Sequence, residues 1–203
     1  GVPNLSTISK DMGIELDNSP KSWLSMYNAY QDYALNSRLG IPLIYGIDAV
    51  HGHNNVYGAT IFPHNIGLGC SMDSDLVERV SYATSVEVAA TGINWTFSPC
   101  IAIPLDERWG RHYEGFSESS ELVAELGYSS IKGYQKFIDN NKPTVAACAK
   151  HFLGDGGTVW GTGRDEKIDR GNTLVNDDVL NNFLLPPYER AIEADVKTIM
   201  ASY

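Results

Sequence analysis

Apolar positions along the chain follow two spacings, one helical and one of short continuous runs. The helical spacing predicts four helices, over residues 21–39, 74–90, 119–137 and 179–194. The continuous runs predict four strands, over residues 43–47, 93–97, 145–149 and 198–203. Ser19-Pro20 and Asp73 are expected to start the first two helices, and Pro186-Pro187 to kink the fourth.

The order of these elements predicts the fold class. Helix and strand alternate along the whole chain, which is typical of parallel strands joined by crossover helices. A small open doubly wound sheet and the first half of an eight-stranded barrel of about 250 residues both fit four such strands. The chain stops on the strand at 198–203 with no helix to cover it. We therefore expect an α/β fold, a (β/α)8 TIM-type barrel of which about the first half is present.

Charge and composition narrow the function classes. With 25 acidic and 15 basic residues the net charge is -10, which disfavours nucleic acid and anionic membrane as partners but not neutral sugars. No apolar run could span a bilayer, and the N-terminal segment Gly1–Asn4 lacks a signal-peptide pattern. The three cysteines, Cys70, Cys100 and Cys148, form no disulfide framework. The latter two lie in apolar segments and are expected to be buried free thiols.

Candidate chemistry lies where the predicted strands end, because active sites of parallel α/β folds sit at the carboxyl ends of strands. Asp48 follows the first strand and could accept hydrogen bonds from two sugar hydroxyls, or could instead be tied into a turn. Lys150 and His151 follow the third. Neighbours on a regular strand point to opposite sides, so both face a ligand only if the backbone is irregular. The alternative is one exposed lysine and one packed histidine.

The segment 106–114, DERWGRHYE, follows the second strand and is dense in charge and aromatic rings. Arginine offers a fixed fork of donors and aromatic faces stack on sugars, whereas a surface ion-pair cluster that holds the loop is the alternative. We expect one arginine to face the ligand and the others to support the loop.

Three other site types are not expected. His51 and His53 share a strand face but lack a third metal ligand at a usual offset, so no metal is expected. The Gly154–Gly157 run lacks the Gly-Lys-Ser/Thr ending of a phosphate loop, and no Gly-x-Ser-x-Gly esterase elbow occurs. No cofactor is predicted.

Several long motifs in order resemble a known family. They are IPLIYGIDAVHGHNNVYGATIFPHNIGLG, DERWGRHYEGFSE, VAACAKHFLGDGGT and TIMASY, spread from Asp32 to Tyr203. Together they resemble the first domain of family-3 glycoside hydrolases, most of all the β-glucosidases and exo-β-glucanases of plants and bacteria.

The resemblance implies a barrel followed by an α/β sandwich domain, with residues 1–203 forming part of the N-terminal barrel. It implies retaining hydrolysis of terminal non-reducing β-D-glucosyl residues through a covalent glycosyl-enzyme intermediate. The nucleophile, an Asp, and the acid/base, a Glu, are expected beyond Tyr203, so no catalytic residue lies in this chain. The rest of the barrel and the second domain would be its protein partners.

The resemblance also implies a substrate-binding set. Its members are Asp48, Arg111, Lys150, His151, Met200, Tyr203 and one carboxylate of the loop 154–172, either Asp169 or Glu166. The substrate would be a β-glucoside or β-linked gluco-oligosaccharide, and the location extracellular or periplasmic. The loop has no His where the N-acetylglucosaminidase branch carries one, which favours the glucosidase branch. Trp160 in this loop could stack on a sugar or pin the loop down.

Two alternatives remain open. The chain could be a non-catalytic glucose- or oligosaccharide-binding fragment or a degenerate relative. It could also be a small doubly wound enzyme that uses Asp155 or Asp106 in catalysis, although no acid/base partner for them is visible.

Overall fold

A computed structural model of the protein describes residues 17–139 and 142–203; the N-terminal segment considered above for a signal peptide lies outside them. The helices are α1 Pro20–Leu35, α2 Asn65–Ser71, α3 Ser74–Ala90, α4 Ser120–Tyr134, α5 Asp177–Val179 and α6 Pro186–Glu193. The strands are β1 Gly46–Ile47, β2 Trp95–Thr96, β3 Phe137–Asp139, β4 Lys142–Pro143, β5 Cys148–Phe152 and β6 Thr198–Ala201.

Four short parallel strands lie side by side in chain order. β1 pairs with β2, Trp95 of β2 bridges to Ala146 just before β5, and β5 pairs with β6. Helices connect these strands, which confirms the predicted α/β class. Sequential order without a switch point suits the predicted barrel better than a doubly wound sheet. The described strands do not close on themselves, so the half-barrel stays a prediction.

The predicted helix starts are confirmed by their caps. Ser19 Oγ accepts a hydrogen bond from the Ser22 backbone N–H at 3.3 Å, and Asp73 Oδ1 accepts one from Leu76 at 2.9 Å. The first helix ends at Leu35, four residues earlier than predicted, because the Asn36 side chain donates to the Asp32 carbonyl within the last turn. The residues between Leu35 and Gly40, including the apolar Leu39, lie in turns and a bend.

The predicted kink in the fourth helix is confirmed. After α5, a single π-helical turn spans Leu180–Leu184, and α6 begins at Pro186. The two prolines occupy the first positions of α6, where a missing backbone N–H leaves no intrahelical hydrogen bond unmade.

Three elements, the helix α2 and the paired strands β3 and β4, have no counterpart in the prediction. α2 is a seven-residue helix with two glycines, which gives it a weak propensity signal. Gly69 is required there because a Cβ would lie 1.7 Å from the Phe116 carbonyl oxygen. The predicted helix 119–137 ends at Tyr134 instead, and the chain turns into the antiparallel pair β3–β4.

The core lies between the strands and the helices that cover them, with α4 packed against both α3 and α6. Its largest fully buried side chains include Trp23, Ile93, Leu126 and Ile131. All three cysteines are free thiols, and Cys100 and Cys148 are buried as predicted. Within residues 17–139 and 142–203 no helix combines the length and hydropathy needed to cross a membrane.

Candidate functional site

A buried carboxylate fixes Arg111 at the edge of the strand ends. The 3₁₀ turn His112–Glu114 brings Glu114 back towards Arg111, whose Nε and Nη2 donate to the two carboxylate oxygens at 2.7 and 2.8 Å. The Glu114 side chain is 10% exposed and that of Arg111 43%. This fork raises the pKa of Arg111 further. The guanidinium therefore presents a permanent charge in a fixed orientation.

His151 receives the next contact of Arg111. Nη2 of Arg111 lies 3.1 Å from Nε2 of His151, and an arginine can only donate, so Nε2 is the acceptor. In the neutral ring the proton then sits on Nδ1. That atom lies 2.9 Å from Oδ2 of Asp155, but its angle falls short of a hydrogen bond, leaving a buried Nδ1 without a full partner.

Asp155 is anchored from the side of β6. Ser202 Oγ donates to Oδ1 of Asp155 at 3.1 Å. Burial alone would raise the pKa of Asp155, but the contacts with His151 and Ser202 and the charge of Arg111 outweigh it and lower the pKa. Asp155 is therefore an ionised carboxylate that contacts His151 of β5 and Ser202, the residue after β6.

Lys150 and Asp48 form a separate ion pair. Lys150 Nζ donates to Oδ1 of Asp48 at 2.9 Å, with the lysine side chain 3% exposed and the aspartate 63%. The β5–β6 register shifts between Lys150 and Phe152, and the Lys150–His151 and Phe152–Leu153 peptide bonds are cis. Both Lys150 and His151 are buried, so the alternative of an exposed lysine is wrong.

The structure brings four of the predicted substrate-binding residues to one cavity of about 210 Å³. Its lining includes Arg111, His151, Asp169 and Tyr203, together with Trp109 and Asp155. Asp48 and Lys150 lie outside that lining as the ion pair described above. Met200 lies on β6 opposite Lys150 in the strand register. The site thus has two parts, the cavity and the Asp48–Lys150 pair.

The loop 154–172 contributes one of its two candidate carboxylates to this cavity. Asp169 lines it, with its oxygens accepting two hydrogen bonds from Arg170 at 2.9 and 2.7 Å. Glu166 is exposed and is not part of the described lining. A substrate hydroxyl bound by Asp169 would therefore share these oxygens with Arg170.

Trp160 and Arg108 join the two loops through a contact outside the cavity lining. The Arg108 guanidinium lies 4.5 Å from the centre of the Trp160 ring, and Asp106 holds Arg108 by a two-point pairing. Arg108 therefore supports the loop while Arg111 lines the cavity, the division of roles expected from the sequence. The ring of Trp160 is 42% exposed.

Beyond Arg170, which also lines the cavity, the site includes three residues that were not recognised as members from the sequence: Glu114, Asp155 as a partner of His151, and Ser202. Local spacing carries a signal for two of them, because Glu114 is three residues after Arg111 and Asp155 four after His151. The contact of Ser202 with Asp155 spans 47 residues and has no local signal.

The two histidines considered for a metal lie in different surroundings. His51 stacks on His64 with ring centres 3.9 Å apart, whereas His53 is fully buried against Trp23 and bonds Thr91. Burial lowers the pKa of His53 to about 4. Among the described residues no group of three or more His, Cys, Asp or Glu side chains could hold a metal ion.

The chain is thus a parallel α/β protein with a polar cavity at its strand ends, lined by fixed cationic and carboxylate side chains. The model of the glycosyl hydrolase family 3 N terminal domain matches residues 13–203. The chain belongs to this family, as the sequence motifs predicted.

Named relatives agree with this assignment. The chain is 43% identical to the exo-1,3/1,4-β-glucanase of a Pseudoalteromonas species, with a TM-score of 0.83 over 94% of this chain and 24% of that one. It is 33% identical to the lysosomal beta glucosidase of Dictyostelium discoideum over 88% of this chain and 22% of the relative, and 31% identical to the periplasmic beta-glucosidase of Salmonella typhimurium over 82% and 20%. The chain spans about a fifth to a quarter of these relatives.

Proposed function

We propose that this chain forms the glucose-binding part of a β-glucosidase-type glycosidase that acts on terminal non-reducing β-D-glucosyl residues. The observation that carries the proposal is the cavity shared by Arg111, His151, Asp169 and Tyr203. The family assignment and relatives named as β-glucosidases and exo-β-glucanases support it. A β-glucosidase from Listeria innocua, 29% identical with a TM-score of 0.78, has been solved in complex with laminaribiose.

The polar groups suit a sugar because a hydroxyl both donates and accepts hydrogen bonds. Arg111 and Lys150 are fixed donors, while Asp48 has an exposed carboxylate that can accept. Hydrogen bonds to sugar hydroxyls that tighten in an oxocarbenium-like transition state lower the barrier to cleavage. We assign Asp48, Arg111, Lys150, His151, Met200, Tyr203 and Asp169 to substrate binding.

The cleavage itself would need groups beyond Tyr203. A retaining mechanism requires two carboxyl groups about 5–5.5 Å apart, one of them a nucleophile. We place the Asp nucleophile and the Glu acid/base in the remaining barrel and a second domain, and residues 1–203 in a partial N-terminal barrel. An extracellular or periplasmic location is proposed, supported by the relatives named lysosomal and periplasmic.

The test compares aryl β-glucoside hydrolysis by this chain with hydrolysis by the full gene product. Activity is expected only in the full product, and Asp48→Asn there is expected to lower kcat/KM about 100-fold, as when other preorganised polar contacts are lost. Asp195→Asn is the matched control, because Asp195 pairs with Lys197 at the amino end of β6. It should leave kcat/KM unchanged.

Turnover by the short chain at a comparable rate would contradict the placement of the catalytic groups. A full product that binds glucose but hydrolyses no β-glycoside would favour the alternative of a non-catalytic sugar-binding relative. Thermal unfolding of each variant, measured alongside, separates lost binding from lost folding, because Asp48→Asn also leaves the buried Lys150 ammonium without its counter-charge.

A further inference from the structure

We infer that Asp155 is a positioning residue that holds His151 in the Nδ1–H tautomer and so commits its Nε2 to accept hydrogen bonds in the cavity. The inference rests on the proposed function for its kinetic consequence, but its structural part concerns only the ring and its neighbours. Asp155 and His151 both line the cavity, and neither side chain is more than 17% exposed.

The contact between Arg111 and His151 has Arg111 as its donor. Arg111 is turned by the Glu114 fork so that Nη2 lies 3.1 Å from Nε2 of His151. A guanidinium donates and never accepts, so a ring with its proton on Nε2 would set two donors against each other. The contact therefore favours the tautomer with Nε2 bare and Nδ1 protonated.

The Nδ1 proton of His151 needs an acceptor, and the nearest carboxylate is that of Asp155. Nδ1 of His151 is buried, and Oδ2 of Asp155 lies 2.9 Å away. A buried polar group without a partner is costly, and a small rotation of the ring would complete a charge-assisted bond to this carboxylate. The preferred orientation of the His151 ring therefore has Nδ1–H directed at Asp155 and Nε2 directed at Arg111.

Asp155 is held in place through both its side chain and the neighbouring backbone. Oδ1 accepts from Ser202 Oγ at 3.1 Å, while a Cβ on Gly156 would lie 2.0 Å from the Ile103 carbonyl oxygen, so the backbone beside Asp155 approaches the preceding loop closely. The carboxylate is held between the turn after β5 and the residue before Tyr203. The orientation of His151 thus depends on the packing of β6.

The consequence is a fixed acceptor on His151 directly beside the donors of Arg111. With Nε2 bare, His151 can take a hydrogen bond from a sugar hydroxyl or from Arg111, and a hydroxyl that binds it exchanges with Arg111. Loss of Asp155 would free the ring to turn or to adopt the other tautomer. The binding residues would remain, but one of them would present a donor where an acceptor is needed.

The experiment uses the full gene product with ¹⁵N-labelled histidine, and His151→Gln assigns the His151 signals. In the wild type we expect ring ¹⁵N signals of a protonated Nδ1 and a bare Nε2. Asp155→Asn keeps the shape but can donate to Nδ1, and is expected to convert His151 wholly or partly to the Nε2–H tautomer. Asp155→Ala is expected to give a mixture of both. Asp195→Asn is the control and should change nothing.

The kinetic arm uses the same proteins on an aryl β-glucoside. Asp155→Asn is expected to lower kcat/KM roughly 10- to 100-fold, by analogy with removal of a carboxylate that orients a metal-binding histidine. Asp155→Glu should recover part of the loss because it restores the carboxylate. A structural role alone would leave the tautomer unchanged and show Asn and Glu variants equally impaired.

The arms separate failure of the inference from failure of the proposed function. An unchanged His151 tautomer in both the Asn and Ala variants would overturn the inference, whatever the activity. A wild type that hydrolyses no β-glycoside would instead overturn the proposed function, and the ¹⁵N signals would still decide the role of Asp155.

Discussion

Two charged loops border the same cavity and secure their arginines in different ways. In the loop 106–114, Arg111 pairs with a buried carboxylate three residues away. In the loop 154–172, Arg170 pairs with its own neighbour Asp169, and both side chains are about half exposed. Similar composition therefore gives a fixed group in one loop and an adjustable pair in the other, because burial decides how much an ion pair constrains.

The backbone of the loop 154–172 also indicates that this loop is less firmly held than the loop 106–114. Asp165, Glu166 and Arg170 adopt left-handed φ angles of 55, 56 and 53°, although none is a glycine. Such conformations cost roughly 1–2 kcal/mol per residue outside glycine. A loop held by exposed pairs and containing three such residues has little surplus stability, whereas the first loop is secured by its buried fork. We expect variants in the two loops to differ accordingly.

The largest effect is expected from Glu114→Gln. The amide cannot pair with Arg111 at two points, so the guanidinium loses its fixed direction towards His151. We expect kcat/KM of the full gene product for an aryl β-glucoside to fall about 100-fold. The free energy of unfolding should fall by about 1–3 kcal/mol, measured by urea denaturation, because a buried partner is left incompletely satisfied.

The control for this change is Glu193→Gln, which removes a carboxylate from an exposed pair with Arg190 at the end of α6. Glu193→Gln should change kcat/KM and the free energy of unfolding little, since exposed ion pairs contribute about 0–1 kcal/mol. Equal kinetic effects of the two variants would show that the buried fork does not set the geometry of Arg111.

An intermediate effect is expected from Asp169→Asn. If Asp169 binds substrate, its carboxylate oxygens also accept from Arg170, and sharing them weakens the interaction with each partner. We expect about a tenfold fall in kcat/KM, mainly through a raised KM, as for contacts that bind ground and transition state alike. The unfolding free energy should change by less than about 1 kcal/mol.

Glu166→Gln is the matched variant in the same loop, since Glu166 is not part of the described cavity lining. A larger effect there than at Asp169 would reverse the assignment between the two carboxylates. An unchanged KM in both variants would remove the loop carboxylates from substrate binding and leave the first loop as the only charged contributor of the two.

The sequence predicted the parts of this fold and site that depend on local pattern. The α/β class, the caps at Ser19 and Asp73 and the break at Pro186 follow from periodicity and from the chemistry of single residues. The short helix α2 and the β3–β4 pair were not predicted, because apolar spacing does not define them. The helix depends on the close approach of Gly69 to Phe116, and the two strands depend on antiparallel pairing with each other. Two helices also ended earlier than predicted, at Leu35 and Tyr134, where the capping residues Asn36 and Gln135 follow.

The site shows the same division. Arg111 and His151 could be named because their motifs follow predicted strands, and Asp169 because the family resemblance implied a loop carboxylate; the structure brings all three to one cavity. Their orientation could not be read from the sequence. It depends on the irregular backbone at Lys150 and on the contact of Ser202 with Asp155 across 47 residues. Sequence pattern thus indicates which groups are available, while long-range packing decides how each one points.

The smallest effect is expected at the contact that joins the two loops, between Trp160 and Arg108. An exposed cation–π contact contributes about 0.5–1 kcal/mol, so Trp160→Ala should lower kcat/KM only about three- to fivefold. A double-mutant cycle with Arg108→Ala separates two roles for the ring. If Trp160 pins the second loop, the double variant should be no worse than either single one. If it stacks on a sugar instead, Trp160→Ala should raise KM for gluco-oligosaccharides more than for a short aryl glucoside, and Arg108→Ala should not. The second result would give the adjustable loop a direct part in substrate choice, in contrast to Glu114 of the first loop, which acts on the site only through Arg111.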